Sequence, residues 1–165
     1  SRGVSVITAP DQRWGRCDIK SVSLLANVLA RQRAVEAGAF EAWLVGGDGL
    51  VTEGTASNAW IVTAGGLLLT HDASHAILNG ITRQAVLRIA ADHGVTLREG
   101  PFSVAEARLA AEAFLTSTTS LVKPVVRIDG TVIGDGGMGP LTSRLLDYYM
   151  DHVGEGAAGH LGPSG

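Results

Sequence analysis

Two pairs of short apolar runs, each folded back on itself by glycine, dominate the first half of the chain. Glu41-Ala42-Trp43-Leu44-Val45 leads through Gly46-Gly47-Asp48-Gly49 into Leu50-Val51-Thr52-Glu53. Asn58 to Thr63 leads through Ala64-Gly65-Gly66 into Leu67 to Thr70. Runs of this length around Gly- and Asp-rich turns pair as β-hairpins. Two in succession predict an antiparallel four-stranded meander. Around them the apolar period becomes helical. Residues 20–37 carry Val22, Leu25, Val28, Leu29 and Ala34 at helical spacing before Gly38, and residues 81–92 carry Ile81, Ala85, Val86, Ile89 and Ala90 before Gly94, each glycine standing where a helix ends. Ser103 followed by Glu106 has the form of a capping box and predicts a short helix through Ala111. Val4 to Thr8, Phe114 to Thr116 and Val125 to Ile128 read as strands, the last turned by Asp129-Gly130 into Thr131 to Ile133. Leu141 to His152 predicts a final helix, with Leu141, Leu145, Leu146 and Tyr149 on one face.

The pattern predicts one α/β (α+β) domain over residues 1–153: a mixed, largely antiparallel sheet with flanking helices, then a flexible Gly/Ala/Ser/Pro-rich tail over 154–165. With 165 residues, 45% of them hydrophobic and 18% charged, the chain can bury a core without disulfides or structural metal. A net charge of -3 leaves no excess of Lys and Arg to neutralise phosphates, so no nucleic-acid partner is expected. No apolar run approaches the roughly 20 residues of a membrane span, and the N-terminus lacks the basic-then-apolar order of a signal peptide. The single cysteine, Cys17, cannot form an internal disulfide. A cytoplasmic location is the expectation. The chain opens on Ser1 with a strand starting at Val4, which reads more as the start of a domain than of a gene product, so that a fragment or a processed piece is the expectation.

Four segments combine reactive side chains with tight backbone. In Arg13-Trp14-Gly15-Arg16-Cys17-Asp18-Ile19-Lys20-Ser21, Lys20 stands between an irregular stretch and an apolar helix, where partial burial turns a lysine into a nucleophile; an ordinary solvated lysine fits there as well. In Val51 to Asn58, Glu53 ends a strand before Gly54, in position to hold a cationic ring nitrogen or simply to link two hairpins. Leu78-Asn79-Gly80-Ile81-Thr82-Arg83 precedes a helix, where free N–H groups bind phosphate; Thr82 serves equally as a plain N-cap. Thr116-Ser117-Thr118-Thr119-Ser120 offers five hydroxyls to phosphate oxygens or to a turn. His71 and His75 lack a third ligand and predict no metal site. Trp14, Trp43 and Trp60 read as core or interface, and Cys17 as a small buried residue.

Taken together and in this order, the four segments resemble the fold-type IV pyridoxal-phosphate enzymes, and within them the D-amino acid aminotransferases. Arg13-Trp14, Arg16 to Ser21, Leu25, Asn27 to Ala30, Thr52-Glu53-Gly54, Ser57-Asn58, Ile77-Leu78, Gly80 to Arg83 and Thr116 to Ser120 carry the resemblance. It implies the large domain of that fold, pyridoxal 5'-phosphate as cofactor, and transfer of an amino group between a D-amino acid and a 2-oxo acid by a homodimer. Residue by residue it implies Lys20 as the lysine bonded to the cofactor and as the catalytic base, and Glu53 facing the pyridine nitrogen. Ile81 and Thr82 would offer backbone N–H groups, and Thr82 and Thr118 hydroxyls, to the phosphate. Leu78 would lie against the ring, with Ser57 and Arg13 supporting from behind. The family's N-terminal domain, which supplies a phosphate-binding arginine and the carboxylate-binding groups, has no counterpart in this sequence. The alternatives within the fold are an aminodeoxychorismate lyase and a branched-chain or (R)-amine transaminase. The alternative outside catalysis is a truncated cofactor-binding domain.

Overall fold

A computed structural model describes residues 3–22 and 24–158. The strands are β1 (Val4–Pro10), β2 (Glu41–Val45), β3 (Leu50–Gly54), β4 (Asn58–Val62), β5 (Leu68–Thr70), β6 (Leu97–Glu99), β7 (Phe102–Ser103), β8 (Glu112–Ser117), β9 (Leu121–Ile128) and β10 (Thr131–Val132). The helices are α1 (Leu25–Glu36), α2 (Ile81–Asp92), α3 (Val104–Arg108) and α4 (Pro140–Ala158). The strands run β6-β5-β4-β8-β9-β1-β2-β3-β7, with β10 also on β9. The β1–β2, β1–β9 and β5–β6 pairs are parallel and the others antiparallel, so the sheet is mixed and largely antiparallel.

Both expected hairpins form, but not as one meander. β3 pairs with β2 and β7, and β4 with β5 and β8. β3 and β4 therefore sit far apart in strand order although only Thr55, Ala56 and Ser57 join them. Four Cα steps span at most roughly 14 Å, whereas five strand spacings on a flat sheet are about 24 Å. The sheet has to curl until β3 and β4 meet, and the short link between them becomes the wall of a cavity.

Burial on both faces explains the apolar runs. Along β4, Ala59 and Ile61 point into the curl with Val6, Trp43, Val51, Leu115 and Ile128. Trp60 and Val62 point outward under α2 and α4, against Val86, Ile89, Leu141 and Leu145. Alternate strand residues thus feed two separate cores. The capping box at Ser103 forms as expected, although α3 ends at Arg108 rather than Ala111. The short β6 and β7 carry too few residues to show a period in the sequence. Helix α4 runs to Ala158, past the expected end at His152; the rest of the expected tail, 159–165, lies outside the described residues.

Helix α1 departs most from expectation. It begins at Leu25, not near Lys20, and seats on the sheet through Ala30 and Ala34, which meet Ala9, Ala42 and Leu44. The small alanines bring the helix close to the strands. The larger apolar residues that suggested the inward face point outward: Val22 is 98% exposed and Leu25 71%, with Val28 and Leu29 also exposed.

Glu112 at the start of β8 fixes the second core to the sheet. Its buried carboxylate accepts from the N–H groups of Leu141 and Thr142, at 2.9 and 2.7 Å, and from the Thr142 hydroxyl at 2.7 Å. Gly139 leaves room for it, since a Cβ there would lie 2.1 Å from the carboxyl carbon. Glu112→Ala leaves these buried donors unpaired and is expected to cost about 3 kcal/mol, read as a lower urea midpoint at unchanged slope.

Candidate functional site

The site is built outward from Glu53, the penultimate residue of β3. Glu53 is 6% exposed, and its carboxylate is held from three sides. The Arg13 guanidinium pairs with Oε1. The Leu78 N–H lies 3.1 Å from both oxygens, and the Asn58 side-chain amide donates to Oε2 at 3.0 Å. Arg13 is gripped in turn by Asp11, through Nε at 2.9 Å and an Nη at 2.7 Å, and donates to the Ala76 carbonyl at 2.9 Å. Thr52 donates its hydroxyl to Asp11 at 2.8 Å. The segment after β1, strands β3 and β4 and the turn before α2 are thereby tied at one buried point.

The turn at residues 78–80 delivers the start of α2 to the same place. Asn58 donates to the Leu78 carbonyl at 2.8 Å, and the Gly80 N–H donates to that carbonyl at 2.9 Å. With both faces of its peptide taken, Leu78 has a fixed direction into the cavity. Gly80 is the N-cap of α2, which receives no side-chain cap and has no acidic residue in its first turn. A Cβ on Gly80 would lie 2.7 Å from the Asn58 amide oxygen, so glycine is required by this close approach. Thr82 is therefore not the cap. It sits within the first turn, buried, and its hydroxyl has no hydrogen-bond partner among the described residues.

These elements surround a cavity of about 890 Å³. Lys20, Arg13, Glu53, Ser57, Leu78, Ile81, Thr82 and Thr118, the eight residues singled out in the sequence, all line it. Lys20 enters from the irregular segment between β1 and α1, and is exposed. That segment is pinned where the Cys17 N–H donates to the His75 carbonyl at 2.8 Å. The chain has only two lysines; the other, Lys123, lies on β9 beside the Phe40 ring, away from this lining. Thr118 is exposed in the turn after β8. Thr116 instead belongs to β8 and accepts from the Trp60 indole at 2.9 Å.

Ser57 lines the cavity and ties its wall together from within. Its hydroxyl donates to Glu41 at 2.6 Å, beside the Ala56 N–H at 2.6 Å and the Thr55 hydroxyl at 3.0 Å. Glu41, a second buried carboxylate, thus shapes the link between β3 and β4. The sequence reading missed it because Glu41 opens a strand whose next four residues are apolar. It also left out Asn58, although Asn58 stands in the segment that carries the resemblance. Of the three tryptophans, Trp43 and Trp60 are in the core, while Trp14 is exposed at the cavity. Cys17 is half-buried on the cavity wall, its thiol donating to the Trp14 carbonyl at 3.1 Å. Burial pushes that thiol's pKa up, against the pull of Arg13. His71 contacts Asp72, and no group of three metal-ligating side chains occurs among the described residues.

Burial also pushes Glu53 up, from 4.5 to about 7; Arg13 and the Leu78 N–H offset only part of the desolvation. For Asp11 burial works in the same direction, but the Arg13 fork and the Thr52 hydroxyl outweigh it and hold the carboxyl below its ordinary range. A carboxyl whose pKa rises on folding keeps its proton longer in the native state. Its contribution to stability is complete below the unfolded value and falls as pH rises through the folded one. Without a bound cation, Glu53 is expected to remove stability between pH 4.5 and about 7, by roughly 3 kcal/mol at most. Urea unfolding across that window checks this, and Glu53→Gln should flatten the slope.

The class IV amino-transferase family model matches residues 2–128. D-alanine aminotransferase of Bacillus licheniformis is 50% identical over 151 residues, covering 92% of this chain and 53% of that protein. The D-alanine aminotransferase of Listeria monocytogenes serotype 4b is 44% identical over 152 residues, covering 92% and 52%. A solved branched-chain amino acid aminotransferase from Thermobaculum terrenum, in its PLP (holo) form, superposes with a TM-score of 0.83 at 29% identity, covering 92% of this chain and 51% of that one. The chain spans about half the length of the relatives it matches. Matched over most of its own length, the chain belongs to the class IV aminotransferase family.

Proposed function

We propose that this chain is the cofactor-binding domain of a pyridoxal-phosphate-dependent transaminase acting on a D-amino acid such as D-alanine and a 2-oxo acid such as 2-oxoglutarate. One observation carries the reading. A lysine, a buried carboxylate and an uncapped helix start face one cavity, and a buried threonine hydroxyl at that helix start lacks a partner among the described residues. The higher identity to D-alanine aminotransferases than to the branched-chain structure supports the D-amino acid assignment.

The donor set fits a phosphorylated pyridine aldehyde. The first-turn N–H groups of α2, with the Thr82 and Thr118 hydroxyls, would hold the phosphate. Glu53 would hold a protonated ring nitrogen, Leu78 would cover one ring face, and Lys20 would bond the aldehyde carbon. When bound, the cofactor supplies that carbon for condensation with amines and a ring that withdraws electrons from the substrate's α carbon. Glu53, kept in place by Arg13, Asn58 and Leu78, keeps positive charge on the ring. The Lys20 amine, when free, would take a proton from the substrate's α carbon and hold it for return. Arg13 does not reach outward, because its donors are spent on Asp11, Glu53 and Ala76; it acts through Glu53. The complete protein would be a cytoplasmic homodimer, with the remaining half of its length supplying the groups that hold the substrate carboxylate.

Borohydride reduction of the chain mixed with pyridoxal phosphate, followed by peptide mapping, is expected to place the label on Lys20. A label on Lys123 would overturn the assignment. In the complete enzyme, Glu53→Gln should lower kcat by roughly a hundredfold while cofactor absorbance persists. The 165-residue chain alone should bind the cofactor weakly and show negligible turnover of D-alanine with 2-oxoglutarate. Supplying the other half of the full-length protein should restore turnover; equal rates with and without it would contradict the proposal.

A further inference from the structure

Arg83 is the third residue of α2, and its placement runs against two general costs. A cation in the first turn opposes the helix dipole, and a charge taken out of water is destabilising without compensation. Yet the Arg83 side chain is 0% exposed. One Nη donates to the Asn79 side-chain oxygen at 2.8 Å; the other donates to the His71 carbonyl at 2.7 Å and to Glu99 at 2.6 Å. Its Nε has no partner among the described residues, nor does the hydroxyl of the preceding Thr82. Two unpaired buried donors on consecutive residues, an uncapped helix start without an acidic residue, and a buried guanidinium coincide at one end of one helix. Glu99, the counter-charge, is 43% exposed on β6 and is not part of the cavity lining. It is the most weakly placed member of the group.

We propose that Arg83 is the positioning residue of the phosphate end of the cavity: it fixes the 78–82 turn through Asn79 and His71 and charges the start of α2 for a dianion. The inference rests on the cofactor reading above. Arg83 does not line the cavity, so it works through Asn79 and through its field. Glu99 then restrains it, drawing the guanidinium toward β6 and cancelling part of its field. A merely structural Arg83, tying β5, β6 and α2 together, makes the opposite prediction for Glu99. In that case loss of the ion pair weakens the clamp and leaves anion affinity unchanged or lower.

The test uses the 165-residue chain and inorganic phosphate, titrated by ³¹P NMR, with thermal unfolding measured in parallel. Arg83→Gln is expected to weaken phosphate binding by about tenfold, with Arg83→Lys recovering part of the loss. Glu99→Gln is expected to tighten phosphate binding a few-fold and steepen its dependence on salt, even where the melting temperature falls. If Arg83→Gln does not fold, Glu99→Gln decides alone. Unchanged or weaker phosphate binding in Glu99→Gln overturns the proposal while the cofactor reading stands. No phosphate binding by the unmutated chain overturns the phosphate cradle and this inference with it.

Discussion

The Glu53 carboxylate is the point on which the rest of the site depends. Burying a charge is tolerable only when each lone pair finds a donor, and removing one partner leaves an uncompensated charge. Here the donors come from the segment after β1, from β4 and from the turn before α2. None of these is near Glu53 in the chain except Asn58. The need to pair one carboxylate therefore sets the relative positions of four elements. Glu41 repeats the device at the other end of the β3–β4 link, with three donors from residues 55–57. Between the two lies Gly54, where a Cβ would fall 2.4 Å from the Ser57 hydroxyl and 2.8 Å from the Glu41 carboxyl carbon. The link has little freedom left. The wall it forms is held by groups of this chain alone, the arrangement that electrostatic preorganisation calls for.

The curl of the sheet and the chemistry of the link are connected. A three-residue connection between strands distant in sheet order holds only if the sheet bends, and the bend encloses a core fed by alternate residues of nearly every strand. The two carboxylates stand at the seam, where the backbone of the link leaves the ladder after the Thr55 N–H donates to the Ala42 carbonyl at 3.1 Å. The Thr55 and Ser57 hydroxyls and the Ala56 N–H turn to Glu41 instead. The polar interior of the cavity wall is thus a consequence of how the sheet closes.

Much of this was legible in the sequence, for identifiable reasons. Local signals survived: the two glycine turns, the α2 period from Ile81 to Asp92 and the Ser103–Glu106 cap all depend on residues within a few positions of each other. The eight candidate residues could be named because the order of short motifs resembles a known family, not because any one motif was decisive. Long-range pairing was not legible. Nothing local to Glu53 shows that β4 joins β8 rather than β3, or that Glu41 will bond Ser57 sixteen residues on. The α1 error has another cause. Apolar spacing reports which face avoids water, not what covers it. Seven exposed apolar residues, Trp14, Ile19, Val22, Leu24, Leu25, Val28 and Leu29, lie on one stretch of chain. Among the described residues nothing covers that strip, and the alanines on the opposite side of the helix make the contact with the sheet instead.

The proposed chemistry places opposite demands on its two principal residues, and the fold separates them accordingly. Glu53 has to keep its position while charge on a bound ring changes, and it sits on a strand, buried, with its oxygens held by Arg13, Asn58 and Leu78. Lys20 has to form a bond, release it and carry a proton, and it sits on an exposed segment outside regular structure. That segment is moored by Cys17 to the loop at His75, while the helix that follows is moored by Asn27, whose amide donates to the Thr55 carbonyl at 2.9 Å. Both moorings run to loops adjoining the site. The lysine is therefore tethered to the frame that holds Glu53 without being fixed by it, and its amine can change partners while the carboxylate opposite stays in place.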